Sequence, residues 1–379
     1  MASIGLVMIV KNEAKVIRRC LSSVLPLLDY VLIADTGSTD GTQDLIRAFL
    51  REQQLPGQVL DEPWQNFAAN RNSVLAKLRG RTEIDYALMI DADEVLVFAS
   101  DFDCTAFKNS LSAPVYDIPT HFNGLIYNRP QLFSNRLPLV YKAVLHEYLD
   151  CADLSRALVG GFFNQPTTDG VRSQNPDKFR ADATLLEQAL QTETDPFLIS
   201  RYTFYLAQSY WDIGELERAA ETYLRRAQQG FWQQEVTVSL YNAAHLKEVL
   251  GYPPEELLTL YLRAFEACPN RAEALHGVMR LCHTLGKYQQ GYVFGKHALT
   301  LSNPPDALFA KQWLYDYGLL DEFAITAYWA GHYQESLAAC QQLLADKRIP
   351  AEHWPRIRAN AGFAIAKLNQ PELRGLLPS

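Results

Sequence analysis

Tyr86-Ala-Leu-Met-Ile-Asp-Ala-Asp-Glu94 decides the reading of this chain. The run Tyr86 to Ile90 is apolar without alternation, as a strand buried on both faces should be. It ends abruptly in three carboxylates, Asp91, Asp93 and Glu94. Two Asp residues separated by a single residue can reach one ligand if the strand breaks its regular alternation there. Their hard oxygens suit Mg or Mn, and the cation in turn suits a diphosphate. Read blandly, Asp-x-Asp would be a capping turn.

Upstream, the same pattern repeats. Ile4 to Val10 is a continuous apolar run, and a helix is expected from about Glu13 to Val24, with Val16, Ile17, Cys20, Leu21 and Val24 on one face. Pro26 ends it. Tyr30 to Ala34 is a second strand. It leads into Asp35-Thr-Gly-Ser-Thr-Asp-Gly-Thr42, a polar turn in which glycine permits close approach of a ligand and Asp40 caps the next helix. Val59-Leu60 is a weak third strand, and Phe67 to Leu78 is helical. Successive βα units imply a mostly parallel sheet with helices on both faces, and a site at the carboxyl ends of its strands.

Beyond Ala113 the rhythm changes. Val115 to Ile118, Leu125 to Asn128 and Val140 to Leu145 read as short strands of an antiparallel extension. Gly160 to Lys178 is polar and rich in Gly, Asn, Pro and Asp, and reads as the interdomain linker. The resulting division is a catalytic domain over 1–165, a linker and first helix over 166–190, and a helical domain over 191–379.

That last region carries a degenerate repeat. Gly214, Gly251, Gly286 and Gly331 each sit near an expected helix–helix turn, at spacings of 37, 35 and 45 residues. Each precedes an amphipathic helix ending near Ala227, Ala264, Ala298 or Leu344. Ala219, Gly291 and Ser336 are small residues at matching offsets. The period resembles that of tetratricopeptide (TPR) repeats, which bury their core by stacking neighbours. Such a region serves as a structural or dimerising element, a protein-partner surface or an acceptor site.

Composition sets outer limits. Of 379 residues, 48% are hydrophobic, enough for packed cores. A net charge of -8 argues against a nucleic-acid partner. The six cysteines form no close metal or redox pair, and no transmembrane segment or export signal is legible; a cytoplasmic chain, peripheral at most to a membrane, is expected.

Taken together, Val10-Lys-Asn-Glu13, Asp35 to Thr42, Arg71-Asn72 and Asp91-Ala-Asp-Glu94 resemble family 2 glycosyltransferases of the Rossmann-like A-type, nucleotide-sugar-binding fold. The stretch Lys142 to Leu149, containing His146-Glu147, is also similar. The resemblance implies that Val10, Asn12, Glu13 and Asp35 surround the nucleobase and ribose of a donor, by preference a UDP-sugar. Arg71 would lie near the donor, Asp91 near ribose or metal, and Asp93 on Mn2+ or Mg2+, with His146 completing the metal shell or touching phosphate. Glu147 is the leading catalytic base, with Glu94 and Asp117 as rivals. The late Glu-Asp pair of many members has no clean copy here. The implied activity is inverting transfer to a glycan, lipid-linked glycan or peptide acceptor, and the setting bacterial. A nucleotidyltransferase making activated sugars, or a non-enzymatic TPR scaffold, is the competing reading.

Overall fold

The computed structural model describes residues 1–122, 125–305, 307–346 and 348–372. The chain divides into two compact units, Met1–Ala189 and Leu190–Ser379.

The first unit is a mixed α/β sheet domain. Strands β1 (Ile4–Val10), β2 (Tyr30–Asp35), β3 (Gly57–Asp61) and β4 (Tyr86–Met89) run parallel in the order β3-β2-β1-β4. The apolar run of β1 is explained by its two covered faces. Leu6, Met8 and Val10 pack with Ile17, Cys20 and Leu21 of α1 (Ile17–Val24) and Phe49 of α2 (Thr42–Glu52). Val7 faces the other way, with Val74, Leu75 and Leu78 of α3 (Phe67–Arg79). Truncating a side chain such as Leu21 in this core costs about 2–5 kcal/mol.

Beyond β4 the sheet turns antiparallel. After β5 (Glu94–Phe98) and α4 (Cys104–Ser110), strands β6 (Val115–Phe122) and β7 (Leu125–Ser134) form a long hairpin. β7 pairs with β4. The expected strand at Val140 to Leu145 is only β8 (Tyr141–Lys142), paired with β9 (Tyr148–Leu149). Between them Ala143 and His146 take left-handed φ values of 77° and 51°, which stops the pairing.

Two further expectations change. Helix α1 begins at Ile17, not near Glu13, because Asn12 is left-handed (φ 59°) and the next amides are claimed by side chains of the Asp35–Thr42 loop. The stretch expected to be a linker is largely built into the domain. After β10 (Arg156–Leu158), which pairs with β6, strand β11 (Phe162–Pro166) pairs with β5. Thr167 then donates its amide to the Asp93 carbonyl at 2.9 Å. A single turn, α5 (Val171–Gln174), precedes α6 (Lys178–Thr192).

The second unit is all helical. Its antiparallel pairs are α7 (Pro196–Asp212) with α8 (Leu216–Ala227), α9 (Gln233–Val249) with α10 (Pro254–Ala267), and α11 (Glu273–Thr284) with α12 (Tyr288–Ala298). The fourth pair, α13 (Leu319–Trp329) and α14 (Tyr333–Ala345), follows a π-helical turn at Leu314–Gly318, and α15 (Trp354–Leu368) ends the stack. Gly214, Gly251, Gly286 and Gly331 each stand two residues past the first helix of a pair, with φ from 67° to 84°. That is the left-handed position that closes a helix and frees the chain to reverse. At Gly291 a β-carbon would lie 2.9 Å from Thr326 Cγ2, so α12 and α13 meet there only because the residue is small. No helix of the described residues is long and apolar enough to cross a membrane.

Candidate active site

The strand order β3-β2-β1-β4 reverses direction of growth between β1 and β4, and ligands of such sheets collect beyond that point. Asn12-Glu13 leaves β1 there and Asp91 to Asp93 leaves β4.

The β1 and β2 loops are knitted by short polar side chains. Asn12 N donates to Ser38 Oγ (2.7 Å), Glu13 N to Thr42 Oγ1 (2.8 Å) and Ala14 N to Asp40 Oδ2 (3.0 Å). Asn12 Oδ1 accepts from Thr39 N at 2.7 Å. Asp35 Oδ1 accepts from Gly37 N and Ser38 N, while Oδ2 is buried without a partner among the described residues. Val10 turns its side chain into the core, and its carbonyl accepts from Thr36, so only main chain borders the loop. Asp40 Oδ1 accepts from the Thr42 amide (3.1 Å), but the cap position of α2 is Gly41, so Asp40 stands one residue before the cap expected of it.

Beyond β4 the strand alternation breaks into a turn at Ala92-Asp93. The three carboxylates meet different fates. Glu94 is buried, ion-paired with Arg129 and hydrogen-bonded by Asp91 N (3.2 Å) and Gln131 Nε2 (3.3 Å). Asp91 Oδ1 accepts from Arg71 Nη2 at 2.7 Å, and its Oδ2 lies 3.9 Å from Arg129. Burial alone would raise the Asp91 carboxyl, but Arg71 and Arg129 outweigh it and hold it below the ordinary carboxylate range.

The Asp93 carbonyl accepts from the Thr167 hydroxyl at 2.5 Å, while no side chain among the described residues donates to its carboxylate. Burial first, then the charges of Asp91 and Glu94, push it up to about 6. Glu13 is raised to about 7, chiefly by burial and further by Asp93, Asp40 and Asp91, against an opposing hydrogen bond from Val171 N. Glu13 thus feels the charge of Asp93, whose own strongest charged neighbours are Asp91 and Glu94.

Arg71 is buried within α3 rather than presented outward. Besides Asp91, its Nε donates to Glu147 Oε1 at 2.7 Å, and its guanidinium lies over Tyr141, 5.5 Å from the ring centroid. The structure thus brings Arg71, Asp91 and Glu147 together. His146 is exposed in the left-handed turn beside Glu147. The rival bases are committed elsewhere: Glu94 as above, and Asp117 to Arg156 through both oxygens.

Several neighbours of Asp93 were not legible. Thr167 and Asp169 are both held by Arg19 of α1, whose Nη1 and Nη2 reach Asp169 at 2.7 and 2.8 Å. This pins the 167–170 loop against Asp93. Gly170 packs on the carboxylate itself: a β-carbon there would lie 2.7 Å from Asp93 Oδ2. The only signal in the chain is the turn-forming Asp169-Gly170 pair within a polar stretch.

Residues 6–98 match the family model described as Glycosyl transferase family 2. A TPR repeat-containing protein of Synechococcus elongatus is 31% identical over 158 residues, covering 40% of this chain and 36% of its own length. An uncharacterized glycosyltransferase of Rickettsia felis is 32% identical over 96 residues, covering 25% of this chain and 30% of its own. The chain thus spans about a third of the length of these curated relatives. The crystal structure of S. aureus TarS 1-349 in complex with UDP-GlcNAc is 15% identical, with 76% of this chain and 92% of that one covered and a TM-score of 0.37, too low to bear on function. The N-terminal unit carries a glycosyl transferase family 2 domain, joined in one chain to a TPR-like, all-helical repeat region.

Proposed function

We propose that this protein is a metal-dependent glycosyltransferase that moves a sugar from a UDP-linked donor to a glycan, lipid-linked glycan or peptide acceptor. The observation that supports the reading is a pair of carboxyls at the reversal point of the sheet, Glu13 and Asp93, both raised chiefly by burial and with Asp93 adding to the rise of Glu13. Carboxylate oxygens are hard donors that suit Mn2+ or Mg2+, although no group of three metal-ligating side chains stands assembled among the described residues. Asp93 is the leading ligand. Asp91, already shared by two arginines, and His146 are the supplementary ones. When bound, the cation supplies charge neutralisation to the departing diphosphate.

The chain's own groups divide the remaining work. Asn12, Glu13, Asp35 and the main chain at Val10 border the nucleoside, and the unpartnered Asp35 Oδ2 offers it an acceptor. Arg71 fixes Asp91 and Glu147 relative to one another. Glu147 keeps Oε2 for the acceptor proton, as general base. The deprotonated acceptor attacks the anomeric carbon, and the bond to the diphosphate breaks on the opposite face, with inversion.

A product assay tests this. Incubation with nucleotide sugars and Mn2+ releases nucleoside diphosphate together with a glycosylated acceptor. Release of pyrophosphate instead, from a sugar phosphate and a nucleoside triphosphate, would assign the site to nucleotidyl transfer. Absence of nucleotide-sugar binding in the presence of either metal would leave a scaffold.

A further inference from the structure

The helical unit contains a cavity of about 420 Å³, within the range of small-ligand sites. Its walls come from α7, α8, α9, α10 and α11, and from the connector between α12 and α13. The connector is tied down: Arg271 Nη1 donates to the Leu308 carbonyl at 2.9 Å, and Phe309 lies parallel to Phe204 with centroids 6.3 Å apart. It closes one side of what would otherwise be an open groove.

The lining is chemically specific. Trp211 and Tyr241 offer half-buried aromatic surface, and Gln208 and Asn242 offer amides that both donate and accept. Thr237 Oγ1 is buried in the wall without a hydrogen-bond partner among the described residues. Lys311 is half-buried over the Tyr241 ring, 4.6 Å from its centroid, and burial lowers its pKa despite the pull of Glu273. Glu273 itself is committed to Arg271 (2.7 Å) and the Tyr315 hydroxyl (2.7 Å). The ammonium of Lys311 therefore has no carboxylate within ion-pair distance among the described residues. Arg271 is likewise spent on Glu273 and Gln234.

We propose that this cavity binds an acidic saccharide, its carboxylate paired with Lys311, its pyranose face against Trp211, and its hydroxyls on Gln208, Asn242 and Thr237. Aromatic surface matches the C–H face of a sugar ring. Paired amides match vicinal hydroxyls, which both donate and accept. Asp212 also puts a carboxylate in the wall, but Lys311 is the lining cation with no carboxylate within ion-pair distance among the described residues, and it selects the charged member of a sugar family. The inference stands independently of the transferase reading.

Calorimetric titration of the full chain with trigalacturonate and with its neutral methyl ester tests it. The acid is expected to bind about tenfold or more tightly than the ester, the worth of one charge-assisted hydrogen bond. Lys311→Met removes that preference, Lys311→Arg retains most of it, and Thr237→Val weakens both sugars with an unchanged melting temperature. Equal binding of acid and ester, no binding of either, or an intact preference in folded Lys311→Met would overturn the proposal. So would tighter binding of a pentaglutamate peptide.

Discussion

Arg71 Nε donates to Glu147 Oε1 at 2.7 Å, joining a helix of the parallel half-sheet to the small β8–β9 hairpin 76 residues later. The same guanidinium holds Asp91, so one buried cation serves two carboxylates. Replacing Arg71 by Met leaves both uncompensated and should destabilise the first unit by about 3–5 kcal/mol. Chemical denaturation of full-length protein measures it. A loss below 1 kcal/mol would mean that water enters the pair freely.

Glu147→Gln keeps the acceptor oxygen for Arg71 but removes the proposed base. Transfer should fall by about 10²–10⁴-fold while donor binding, read by thermal shift with nucleotide sugar and Mn2+, stays near wild type. Near-normal turnover would remove Glu147 from the mechanism.

Glu13 and Asp93 predict a pH dependence. Glu13 is raised from 4.5 to about 7 and Asp93 from 3.8 to about 6. Within those windows the folded chain holds protons that the unfolded chain has released. Stability without metal should therefore fall as pH rises from about 4 to 7 and level off above. Glu13→Gln should flatten the upper part of the slope. The melting shift on adding Mn2+ should be larger at pH 8 than at pH 5, where the cation competes with protons. A shift independent of pH would contradict this.

Gly170→Ala places a methyl group 2.7 Å from Asp93 Oδ2. The loop is pinned by Arg19, so Asp93 is the group expected to move. A stability cost of about 1–3 kcal/mol is expected, with a weaker Mn2+-dependent melting shift. An unaltered shift would show that Asp93 is not a ligand.

Two glycines of the helical unit should respond with opposite sign. Gly286 has φ 67° and closes α11, so Gly286→Ala should destabilise by about 1 kcal/mol. Gly362 lies inside α15 with open space around its β-position, so Gly362→Ala should stabilise by about 0.5–1 kcal/mol. Paired thermal melts of the full chain decide both.

What the sequence determined by itself was local and periodic. The unbroken apolar run of β1 can only be satisfied by cover on both faces. The four glycines recur where a helix must end in a left-handed residue. The carboxylates after β4 fall at a strand end because the hydrophobic run stops there. Tertiary structure decided which of those carboxylates is free. Glu94 and Asp91 look like Asp93 in the chain, yet arginines at 129 and 71 neutralise them, while Asp93 has no ion pair among the described residues. It also brought the polar 160–178 stretch, indistinguishable by composition from a linker, back against Asp93 through Arg19. The physical reason is common to both. A charge or loop hydrogen bond is satisfied by any partner that the topology supplies, and no period or spacing in the sequence records which one that is.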